Sequence, residues 1–216
     1  MKTKQFADAL AIYQKARTLL ESGKTDPNLT SQQIQSLIYL HGAQAARELK
    51  KWEIADGWLK EMLSRYPESE FKPFALYEQA YSAQNQRKLP VAIDLYGQVA
   101  DNYRNDIGAR SRFMLGELYF AERDFAKAVP EFERTMYGYG ATQASPDIKN
   151  WQARAAVEAG RCSEVLIGQL TGQRQAKAID IAKNFYQFVL EKHPDHELVS
   201  QAKARIAELD RMGGKK

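Results

Sequence analysis

The sequence has a single cysteine, Cys162, among 216 residues. That count excludes an intrachain disulfide and a cysteine-based zinc site. No stretch approaches the roughly 18 apolar residues of a membrane span, and Met1-Lys2-Thr3-Lys4-Gln5-Phe6 is followed by no apolar run of signal length. A glycine-rich phosphate loop, a nucleophile elbow and a metalloprotease helix signature are all missing. Histidine is scarce, with three copies. His41 stands alone, and His193-Pro194-Asp195-His196 has a proline where a helix would need to align the pair, with no third ligand evident. His193 therefore reads as a packing or solvent-facing residue. Cys162, beside Gly160 in an expected helix, reads as a buried structural thiol. No catalytic residue, cofactor or metal is expected. A basic face is missing too: 31 basic minus 27 acidic residues leaves +4. Only the tail Lys215-Lys216 is basic without acidic company, whereas nucleic-acid binders gather their excess on one face or in one run.

What the chain has in quantity is a recurring phrase: a small residue, a large apolar one four positions on, and a third residue three beyond that. It occurs as Ala9, Tyr13, Ala16; as Ala55, Leu59, Met62; and as Ala92, Tyr96, Val99. It returns as Ala128, Phe132, Thr135 and as Ala182, Tyr186, Val189. Subtracting the alanine numbers gives spacings of 46, 37, 36 and 54, the mark of a helix-pair repeat lengthened in two places. Upstream of each alanine runs a second stripe: Tyr39, Gly42, Ala43 in one copy and Leu76, Ala80, Ala83 in the next. The fullest copy is Leu115-Gly116-Glu117-Leu118-Tyr119 followed by Phe125, Ala128 and Phe132. Small residues let two helices approach, and large ones fill the space beside them. Each copy closes on an aromatic or histidine and a breaker or polar residue: Tyr66-Pro67, Tyr103-Arg104, Tyr139-Gly140 and His193-Pro194.

The pattern predicts an all-α chain of about ten helices. A half repeat at 1–22 (helix 3–21) precedes four pairs: 31–49 with 52–65, 72–87 with 90–103, 107–122 with 125–138, and 147–168 with 173–192. The corresponding repeats are 31–67, 72–104, 107–140 and 147–194. A final helix at 196–211, with Leu198, Ala202, Ile206 and Leu209 on one face, behaves as a C-terminal cap. The expectation is one repeat domain over 1–216, a fragment of a longer protein, since it starts on a half repeat. Pro90 suits a helix start, Pro130 bends the helix it enters, and 137–148 and Gly23–Asn28 read as linkers.

These residues resemble the tetratricopeptide repeat, in which Leu-Gly and Tyr mark the first helix and Ala, Phe and Pro the second. Arg104 and Gly140 depart from the terminal proline, and the last copy has a weak first helix. The long spacings and Tyr-Pro endings are most similar to the bacterial envelope branch, which includes the Tol-Pal-associated coordinator and the assembly lipoprotein of the BAM complex. The resemblance implies a right-handed superhelical solenoid of antiparallel helix pairs and a protein-protein interaction scaffold that is not an enzyme. It implies a location in the periplasm or cell envelope.

It also implies that first-helix positions two, five, nine and twelve line a concave groove that binds a peptide or protein segment. Those positions are Leu37, Leu40, Gln44 and Arg47; then Phe74, Tyr77, Tyr81 and Gln84; then Arg110, Phe113, Glu117 and Phe120. Aromatics dominate the middle of this set, and Tyr77 and Tyr81 are the leading anchors. The clamp of lysines, arginine and asparagines by which some relatives hold a terminal carboxylate is absent, so the expected ligand is a peptide with apolar anchors. A second reading is homo-oligomerisation through the N-terminal helix, whose stripe of Tyr13, Ala16 and Leu20 would be uncovered. A helical-repeat nucleic-acid binder ranks third, because arginine and glutamate mix along the expected groove.

Overall fold

The computed structural model describes residues 2–23, 29–140 and 143–213. Most of the expected linker Gly23–Asn28, Ala141 and Thr142 of the second linker, and the basic tail Lys215-Lys216 lie outside the described residues. Among those described there are ten α-helices and no strand: α1 Lys2–Glu21, α2 Gln32–Glu48, α3 Trp52–Arg65, α4 Lys72–Asn85, α5 Leu89–Asn102, α6 Asp106–Ala121, α7 Phe125–Tyr137, α8 Pro146–Ile167, α9 Gly172–Lys192 and α10 Val199–Gly213. The chain read as one repeat domain divides into two compact units, with the division between Val99 and Ala100 inside α5.

Within the first unit α1 packs on α2, α2 on α3 and α3 on α4, and the first helices α2 and α4 also touch. Within the second, α6 packs on α7, α7 on α8, α8 on α9 and α9 on α10, with α6 touching α8. Each unit is thus a stack of helix pairs.

The chemistry of a pair is one small residue under one large ring. A methyl group on Gly42 would stand 1.9 Å from the Trp58 ring, on Gly116 2.6 Å from Phe132, and on Gly160 2.6 Å from Tyr186. In the α4–α5 pair Ala80 and Tyr96 are both fully buried. Subtracting the numbers gives 16 for 42/58, 80/96 and 116/132, but 26 for 160/186. The last pair therefore holds ten additional residues, most of them as two turns before Tyr186 at the start of α9. Burial of each such aromatic stabilises the unit by about 1.5–3 kcal/mol.

The turns repeat as faithfully. Lys50, Arg87 and Arg123 have φ of +56°, +59° and +61°, the left-handed conformation that ends a helix. The following amides reach back to close the preceding helix: Lys51 to the Ala46 carbonyl at 2.9 Å, Lys88 to Ala83 at 2.9 Å, and Asp124 to Tyr119 at 2.9 Å. At the other ends, side chains of Asn105, Asp124 and Ser145 accept from the amides of Gly108, Lys127 and Ile148, which satisfies first-turn donors.

In the second unit the aromatic ending of the third repeat ties the stack together. The buried Tyr139 hydroxyl donates to the Ala100 carbonyl at 2.9 Å. Nearby, the buried Arg112 guanidinium holds Glu131 at 3.0 Å and also Asp101. These carboxylates raise its pKa against the opposing effect of burial. Pro130 lies inside α7 and offers no amide to the preceding turn.

Two expectations meet a different environment. The stripe on α1 is not open, because Leu10, Tyr13 and Leu20 pack against the first unit's core and Ala16 is half-buried; among the described residues of α1 the large apolar side chain that is exposed is Ile12, at 64%. The last helix starts at Val199 rather than 196 because the His196 ring accepts the Leu198 amide at 3.2 Å, making a turn there. His193 is buried against Phe188, ring centres 5.5 Å apart, and desolvation pushes its pKa down to about 4. Cys162 is buried as well, and desolvation raises its thiol to about 12.

Candidate protein-binding faces

In the first unit the site positions lie on α2 and α4. Leu37 packs partly on the core and Leu40 is buried. Gln44 and Arg47 both grip Glu78, Gln44 Nε2 donating at 3.0 Å and Arg47 through two contacts of 3.2 and 3.0 Å. Arg47 also lies 5.3 Å from the centre of the Tyr81 ring, and Tyr81 leans on Trp52 at 6.4 Å. Tyr77 is 2% exposed, its ring 5.4 Å from Tyr96. Gln84 accepts the Tyr96 hydroxyl at 3.0 Å. Phe74, at 39% exposed, is the one aromatic of the set open to solvent here, resting on Phe71.

In the second unit the corresponding face is built by α6 and α8. Phe113 is buried between Phe132 and Trp151, at 5.6 and 5.4 Å. Trp151 is fixed by its indole N–H, which donates to Asp106 at 2.9 Å. Three guanidinium groups lie over this aromatic floor: Arg110 at 5.6 Å from Trp151, Arg154 at 5.1 Å from Trp151 and 5.5 Å from Phe113, and Arg161 at 5.2 Å from Phe120. Arginine over an aromatic face is attractive and leaves the guanidinium edge free to bind. Arg161 spends its edge on Glu158, at 2.9 and 2.6 Å. Arg154 is exposed and forms no ion pair among the described residues. Beside them Glu117 has a buried Oε1 with no hydrogen-bond partner. Burial, then repulsion from Glu158, pushes its pKa up to about 7, against the pull of Arg161 and Arg154.

Position five is therefore packing in all three repeats: Leu40, Tyr77 and Phe113 are buried, and the rings of Tyr77 and Phe113 meet Tyr96 and Phe132 of the second helix of their own pair. Tyr77, expected as a leading anchor, is a core residue. The face of the second unit also contains residues that the three mapped copies did not reach, namely Trp151, Arg154, Glu158 and Arg161. The glycine register carries the signal for two of them: Gly116 to Gly160 is a step of 44, and the same step takes Arg110 to Arg154 and Glu117 to Arg161.

Residues 74–106, which run from the third residue of α4 through α5 to the first residue of α6, match the family model of the tetratricopeptide repeat. A search of curated proteins finds no match to the chain. Among the described residues the chain is an all-helical repeat protein, and its stretch 74–106 is similar to the tetratricopeptide repeat.

Proposed function

We propose that the chain is a non-catalytic scaffold that holds a segment of a partner protein on its first-helix faces. Tetratricopeptide repeats in general mediate protein-protein interaction. The observation that carries the finer reading is Arg154, exposed and stacked over Trp151 and Phe113 with no ion pair among the described residues. A guanidinium so placed is preorganised for a partner's carboxylate, while Phe120 and the Trp151 edge receive an apolar neighbour. In the first unit Phe74 and Tyr81 offer the apolar contact, and Arg47 is already held by Glu78.

The experiment is affinity capture from source-cell lysate with mass spectrometry, comparing wild type with Arg154→Glu/Phe120→Ala and with Phe74→Ala/Tyr81→Ala after each is shown to melt normally. A protein held by the wild type and lost by either variant supports the reading, and identical captures by all three sink it. We place the setting in the bacterial cell envelope, on the resemblance of the Tyr66-Pro67 ending and the long repeat spacings. Recovery of the native protein from cytosol instead of envelope fractions removes that part alone.

A further inference from the structure

We propose that the groove between α7 and α9, closed below by the end of α8, docks an amphipathic helix of a partner protein whose apolar face is flanked by aspartate and glutamate. This site lies on the second helices of their pairs, apart from the first-helix faces, and does not depend on them.

The groove exists because of the ten additional residues between Gly160 and Tyr186. They carry α9 two turns beyond the start that α7 sets for its own pair, and those turns have no second-helix neighbour of equal length. The result is a trough of about 960 Å³. Its apolar surface comes from Phe125 and Val129 of α7, Leu166 of α8 and Ile181 of α9. Leu166 and Ile181 are 37% and 42% exposed, so large aliphatic side chains here face water together instead of singly.

The rim is one-signed. Arg123, Arg174 and Lys177 border the trough, and none of the three has an ion pair among the described residues. Asp124, its one carboxylate, is already engaged: it caps α7 and binds Lys127 at 2.8 Å. An occupant must therefore bring apolar side chains for the floor and negative charge for the edges. It must also satisfy its own backbone, because walls made of helix have their amides and carbonyls already paired. A helix does so and an extended strand does not, so the occupant is a helix with apolar residues at i, i+3 or i+4, and i+7. An anionic membrane shares the charge but not the shape, since the aliphatic residues line a trough and do not protrude into a bilayer.

The test is a selection of randomised 16-residue peptides displayed on messenger RNA against the full chain. Fluorescence anisotropy of the enriched peptides then follows, on wild type, Arg174→Glu/Lys177→Glu and Ile181→Asp. Enriched peptides are expected to be helical, acidic-flanked and salt-sensitive, and the charge reversal should weaken them on the order of tenfold. Ile181→Asp should abolish binding. If the reversed-charge variant melts abnormally, Arg174→Ala/Lys177→Ala replaces it, with a smaller loss of about threefold expected. The proposal is overturned if no peptide is enriched or if enriched peptides bind the variants as tightly as wild type. It is overturned equally if vesicles with anionic headgroups, and not peptides, are what these substitutions release.

Discussion

Glu117 gives the sharpest prediction. Its carboxyl lies in the second unit with one oxygen buried and unpartnered, beside Glu158. Replacing it by glutamine leaves the shape and removes the charge. Burial raises the folded-state value from 4.5 to about 7, so the folded protein binds the proton more tightly than the unfolded chain does. Below pH 4.5 both states are protonated and the group is neutral to stability. As pH climbs through 4.5 toward 7 the unfolded state ionises first, and the folded state loses ground until both are charged. Two and a half pH units at 1.36 kcal/mol each is an upper bound of roughly 3.4 kcal/mol, and partial access to water reduces it to about 2 kcal/mol. Urea unfolding of wild type and Glu117→Gln at pH 4 and pH 8 measures it. The glutamine variant should gain about 2 kcal/mol on wild type between the two pH values. The His193 titration is common to both proteins and cancels in the difference. A gap between the two proteins that stays constant with pH refutes the reasoning, as does a carbon-13 titration placing the Glu117 carboxyl near 4.5.

Gly116→Ala should destabilise by about 1–3 kcal/mol, because the added methyl meets the Phe132 ring at 2.6 Å. Thermal melts of this variant and of Gly116→Ala/Phe132→Leu should show partial recovery in the double substitution, and equal losses would mean the ring is not the obstacle. Arg112→Ala should cost about 2–3 kcal/mol, read as a lower urea midpoint, because the buried Glu131 carboxylate then keeps only the exposed Arg134 as a partner.

Much of this fold was legible in the residues, and for identifiable reasons. Gly42, Gly116 and Gly160 mark places where a helix backbone sits close under a ring, and the aromatic sixteen or twenty-six residues on marks its partner. Helix ends moved by at most three residues, and both ends of α3 fall where expected; α4 stops at Asn85 instead of 87 because Arg87 is left-handed. The binding faces were harder. Helical spacing places Tyr77 and Tyr81 one turn apart on one side, but it does not say that Tyr77 leans toward Tyr96 while Tyr81 leans outward to Trp52 and Arg47. Nor does an alanine spacing of 54 reveal how the excess is divided. The trough beside α9 depends on that division, and it becomes visible only once the start of α9 is set against that of α7.

The left-handed turns at Lys50, Arg87 and Arg123 have a practical consequence. Glycine is the residue best suited to that conformation, and a side chain there forgoes about 1 kcal/mol. The chain has a cation at each of the three hairpin tips instead. Thermal resistance and surface charge are thus a single variable at these positions: any exchange to glycine that strengthens a hairpin also discharges its tip. At Arg123 it would remove part of the basic rim of the trough as well.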